Sequence, residues 1–199
     1  NHRRELKPGA KGGLAIENRI CYSNGKMSPE RTGGKSILDV VSNTAQEILL
    51  RDGYHLPTLI VMGQKKSTSI QISGNAENYA QRADVMRLLG TELRARRNLG
   101  KLQSVFLINE GWVSQPDLGR EENPIPSLDP DRKEVLIIAM VDILQVSSRL
   151  LLFEMLRDEA GQLRDLLAMQ TRGDAENVRA FLLEEFVAGY QSVPNPGMN

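Results

Sequence analysis

Glu134-Val-Leu-Ile-Ile-Ala-Met-Val-Asp-Ile-Leu144 is the stretch on which the fold class turns. It is apolar at nearly every position and dense in branched side chains, which suits a strand shielded on both faces, by helices of the chain itself or by a second copy. Two more strands follow at short range, Ser148 to Leu156 and Leu163 to Gln170, with turn chemistry at Asp158-Glu-Ala-Gly161 between them. Strands in a short-loop series pair antiparallel. A doubly wound parallel sheet would need a helix between each pair.

Working back from Glu134, a Pro-rich loop carries Pro116, Pro124, Pro126 and Pro130. Before it, Gln103 to Ile108 reads as a strand. A long helix is expected from Ala76 to Asn98, capped by Asn75, with Tyr79, Ala83, Met86 and Leu93 as its apolar stripe. Arg94, Arg96 and Arg97 in its last turn complement the helix dipole. Thr58 to Met62 and Thr68 to Ile72 form a hairpin across Gly63-Gln-Lys-Lys66. Ile37 to Arg51 is a helix, with Ser36 and Asp39 spaced as a capping box and Gly53 as its stop. Its predicted face is Ile37, Val41, Ala45 and Ile48, with Leu38 and Leu49 beside it. Forward of the strands, a last helix is expected from Ala175 to Tyr190, capped by Asp174, with Val178, Phe181, Leu182 and Phe186 inward. The order is α-β-β-α-β-β-β-β-α. The expected fold is therefore α+β, an antiparallel or mixed sheet of about six strands packed with three helices.

Residues 36–193 are expected to be one domain, which 199 residues can supply with a sizeable core. Residues 1–35 show no period and many Gly and Pro breakers, so an extended or disordered arm is expected, with Met27 as an alternative natural start. The tail 194–199 is expected to be disordered. The net charge of zero conceals an asymmetry: residues 1–35 hold eight basic and three acidic side chains, a net of +5, so the remainder is −5. The single cysteine, Cys21, cannot form an internal disulfide, which suits a reducing, cytoplasmic setting. No run of about 18 apolar residues is present, so no membrane partner is expected.

Gly33-Gly34-Lys35-Ser36 resembles the end of a phosphate-binding loop, but Pro29 stands where the first glycine belongs and no buried strand precedes it. His55 is the only histidine beyond the arm, in the helix-to-strand turn Asp52-Gly-Tyr-His-Leu-Pro57. It suits a general base, or simply a loop histidine bonded to backbone. Glu110-Gly-Trp112 and the cluster Asp129-Pro-Asp-Arg132-Lys-Glu134 flank the Pro-rich loop at two strand ends. Glu110, Trp112, Asp129, Arg132, Glu134 and His55 are therefore the candidate binding residues. Asp142, Glu154 and Asp165 each interrupt an apolar strand. A four-residue hairpin loop after Arg157 would set Glu154 opposite Asp165. Two like charges so placed call for a proton or a cation, or else face solvent and pair with arginines.

No nucleophile elbow, dinucleotide fingerprint or zinc-ligand spacing occurs, and no cofactor is evident beyond a possible divalent cation at these carboxylates. Three functions compete. The first is a non-catalytic binding or protein-interaction domain, with a protein partner or a second copy. The second is a metal-assisted hydrolase or transferase built on the clustered carboxylates. The third, ranked last because the body is acidic and aromatic side chains are few, is nucleic-acid association through the basic arm.

Overall fold

A computed structural model describes residues 36–73, 78–96, 99–114, 126–169 and 180–193. The expected α-β-β-α-β-β-β-β-α order is present as α1 (Ile37–Asp52), β1 (Thr58–Gly63), β2 (Ser67–Gln71), α2 (Tyr79–Ala95), β3 (Leu102–Val113), β4 (Lys133–Asp142), β5 (Ser147–Arg157), β6 (Leu163–Ala168) and α3 (Phe181–Ser192). A single 3-10 turn, Pro126–Leu128, precedes β4. The six strands form one sheet in the order β2-β1-β3-β4-β5-β6, and every pairing is antiparallel. No helix among the described residues is long and apolar enough to cross a membrane.

The sheet is covered on both sides, which is why β3 and β4 are apolar at consecutive positions. Val105, Leu59 and Val61 face Met86, Leu93, Phe186 and Tyr190 of α2 and α3, with Ala139 and Val141 packed alongside. Phe106, Leu136 and Ile138 face Leu38, Val41, Ala45 and Leu49 of α1. Each fully buried Val, Leu, Ile, Phe or Met side chain among them contributes roughly 1.5–3 kcal/mol by leaving water.

Local chemistry sets the helix ends. The Ser36 hydroxyl accepts the Asp39 N–H at 3.2 Å, and the Asp39 carboxylate accepts the Ser36 N–H at 2.9 Å. Gly53 ends α1 at φ 78°, donating its N–H to Leu49 O at 2.8 Å. The buried face of α1 is Leu38, Val41, Ser42, Ala45 and Leu49, turned from the expected Ile37–Ile48 stripe, because Gln46 Nε2 donates to Ser42 Oγ at 3.0 Å and so satisfies a buried serine. Asn78 caps α2 by accepting the Gln81 N–H at 3.0 Å. The expected cap, Asn75, lies outside the described residues, as do Asp174 and the expected first residues of α3.

α2 and α3 run parallel, since Tyr79 meets Phe181, Arg87 meets Glu185 and Arg94 meets Tyr190. Glycines form their seam. A Cβ on Gly90 would stand 2.7 Å from Tyr190 N, and one on Gly189 would stand 2.8 Å from Arg87 C. Of the expected stripes, Met86, Leu93 and Phe186 are buried, whereas Tyr79 and Phe181 are not. The buried positions are Met86, Gly90 and Leu93 on α2, and Leu183, Phe186, Gly189 and Tyr190 on α3. Tyr79 and Phe181 stand at the open N-terminal ends instead.

Candidate functional site

β3 continues through Val113, past its expected end at Ile108, because it stays paired with β4 to the Val113–Lys133 step. Glu110 and Trp112 are thus strand residues on the α1 face, and Trp112 lies directly opposite Glu134. The Arg132 guanidinium stacks 4.6 Å over the Trp112 ring. Asp129 is only 7% exposed, accepts the Asp131 N–H at 3.0 Å, and offers its carbonyl to Arg132 Nη1 at 3.5 Å. Glu110 accepts the backbone N–H of His55, whose buried ring donates Nδ1–H to Leu56 O at 2.8 Å. The six expected binding residues do converge on one end of the sheet.

A seventh residue, missed in the sequence, organises them. Arg157 of β5 donates Nε and Nη2 to the two oxygens of Glu134 at 2.6 and 3.0 Å. That bond, then the charges of Glu134 and Glu110, raise the guanidinium pKa above its ordinary value. Every acid named here is therefore held by a donor, and the cluster fastens β1, β3, β4 and β5 together.

The strand carboxylates do not converge. Asp142 sits at the opposite end of the sheet, where its Oδ1 accepts the N–H groups of Leu144 and Gln145 at 2.9 and 3.0 Å. Glu154 takes the Lys133 ammonium at 2.7 Å. The expected Glu154–Asp165 opposition is corrected by the register: Glu154 faces Leu167 and Asp165 faces Leu156, because the turn pairs Arg157 with Leu163 rather than Gln162 and the ladder shifts by one more residue between Leu156 and Arg157. Asp165 Oδ1 instead accepts the Leu166 N–H at 2.8 Å, a donor on the outer edge of β6, and so blunts that edge. Among the described residues no group of three or more His, Cys, Asp or Glu is placed to hold a metal ion.

Concavity lies on the other face. A cavity of about 300 Å³ opens between the sheet and the N-terminal half of α2, walled by Pro57, Ile72, Val85, Met86 and Leu107, with Arg82, Ser73, Asn109 and the candidate residue Glu110 as its polar groups. A second, of about 220 Å³, shares Leu107, Asn109 and Leu182 with it and extends over Ile137, Ala139 and Leu150. Tyr79 and Phe181 flank this groove, packed edge-to-face at 6.4 Å, yet 55% and 47% exposed. Beyond it the same sheet face continues apolar through half-buried Leu152 to exposed Leu167. The arrangement can take up apolar side chains, with polar groups of both signs at the rim. The chain matches no protein-family model, and comparisons with curated proteins and with solved structures find no match.

Proposed function

We propose that this is a non-catalytic binding domain that seats an apolar segment of a partner protein in the groove between the sheet and the N-terminal ends of α2 and α3. The observation that carries the reading is the Tyr79–Phe181 pair, two aromatic rings half out of water above adjoining apolar cavities. Aromatic anchors over apolar pockets are where binding energy concentrates at protein interfaces. Arg82, Asn109 and Glu110 give the rim polar groups of both signs, so the apolar anchors carry the selection. A reducing, cytoplasmic setting fits the single cysteine, Cys21.

Selection of peptides from a random displayed library on the full chain tests this. The expected winners carry Leu or Phe anchors, and Phe181→Ser or Leu150→Arg weakens them at least about tenfold, since a buried aromatic or aliphatic anchor is commonly worth 2 kcal/mol or more. Both positions are partly exposed, so the fold tolerates the changes. Peptides whose affinity survives both substitutions overturn the reading.

A further inference from the structure

The end of the sheet opposite the groove carries a different surface. Three loops meet there. The β1–β2 turn joins the approach to β3, with Gln64 N–H donating to Lys101 O at 2.8 Å and Lys65 N–H to Leu99 O at 3.0 Å. The β4–β5 turn joins the same edge through Ile143 N–H and Gln103 O at 2.8 Å. With strands about 4.8 Å apart, the two turns lie roughly 10–15 Å from one another.

The β4–β5 turn is unusual in two ways. Its tip exposes Leu144 at 70% and Val146 at 91%. Val146 is also the one non-glycine among the described residues with positive φ, at 52°. A β-branched side chain is strained in that region, where glycine or asparagine would not be. An apolar side chain that is both strained and in water has no role inside the fold. Exposed basic side chains gather at this end, Lys65, Lys66, Lys101 and Arg96, against two acids, Glu92 and the Asp142 carboxylate that accepts the turn's own N–H groups. At the opposite end the acids have basic partners: Arg51 pairs with Asp52, Arg157 with Glu134 and Arg164 with Asp158. The basic side chains around the β4–β5 turn thus outnumber the acids beside them.

The geometry points to peripheral docking of this end on an anionic lipid bilayer, with Leu144 and Val146 entering the headgroup boundary and the lysines facing acidic headgroups. Charge complementarity selects the anionic surface. The convex apolar tip selects lipid over a nucleic acid, which would use the lysines alone. No spanning segment is involved.

The test is co-sedimentation of the full chain with vesicles of phosphatidylcholine alone, or of phosphatidylcholine with phosphatidylserine, across salt. Binding is expected only to the phosphatidylserine vesicles, weakening as salt rises. Each of Lys65→Glu and Lys66→Glu reduces it by about fivefold or more. Val146→Gly is the decisive variant, because it relieves the strained backbone and stays folded. It is expected to raise the unfolding temperature while weakening vesicle binding several-fold. No sedimentation with phosphatidylserine vesicles at low salt overturns the proposal. So does binding untouched by Val146→Gly and Leu144→Ser, and a charge-only interaction with single-stranded DNA of equal strength would then identify the surface as a general polyanion site.

Discussion

Gly189 of α3 lies directly against the backbone of Arg87 in α2, so close that no side chain fits between the two helices. Gly90 makes the matching approach to Phe186 and Tyr190. Gly→Ala inside an ordinary helix gains roughly 1 kcal/mol from propensity. Here the neighbour is backbone and cannot rotate away, so Gly189→Ala is expected to destabilise by about 2–3 kcal/mol. Urea unfolding with an unchanged slope measures it. A neutral or stabilised variant would mean the helices do not approach this closely.

The Glu134–Arg157 pair predicts coupling rather than catalysis. Both side chains are about three-quarters buried and doubly hydrogen-bonded. Glu134→Gln is expected to cost about 1–2 kcal/mol, between the values for exposed and fully buried pairs. In a double-mutant cycle with Arg157→Met the two losses should fail to add by at least about 0.5 kcal/mol. Additive losses would show that the bidentate pair does not form.

Stability should also fall on the acid side at the β5–β6 turn. The Gln162 N–H, then the Arg164 guanidinium and the Ala160 N–H, hold the Asp158 carboxyl below its ordinary value. A depressed folded pKa contributes stability that is fully present above the unfolded value, about 3.9, and is lost as pH falls through the folded one. The urea midpoint of the wild type should therefore drop more steeply than that of Asp158→Asn as pH falls below about 4. Parallel curves would remove Asp158 from the account.

Val146 yields a prediction of the opposite sign. Glycine is unstrained at φ 52°, and Val146→Gly should stabilise the domain by about 1 kcal/mol after its greater unfolded-state entropy is subtracted. Thermal unfolding reads this as a rise of several degrees. A fall would mean that the valine side chain packs rather than projects.

Much of the fold was legible because burial on both faces of a sheet leaves unbroken apolar runs, as in Val135–Val141, and short turns leave no room for crossover helices. The helix seams were less legible. Periodicity weighs large apolar residues, whereas α2 and α3 meet at Gly90 and Gly189, and that sent Tyr79 and Phe181 to the core when they stand at its open edge. The convergence of Glu110, Trp112, Asp129, Arg132 and Glu134 was readable from strand ends. Arg157 was not, since its partner depends on the β4–β5 register, and Asp165 missed Glu154 because a turn one residue longer than expected and an irregularity between Leu156 and Arg157 together shift the ladder by two. The groove itself is made by three distant segments and has no local signature.

The groove is the centre of this account, and amide chemical-shift mapping of the full chain against a library-selected apolar peptide tests it most directly. The account predicts the largest perturbations at Leu107, Asn109, Phe181 and Leu182, saturating together and absent in Phe181→Ser. Perturbations centred on α1 or on the Trp112–Arg132 stack, with Leu107 and Phe181 unmoved, would contradict it.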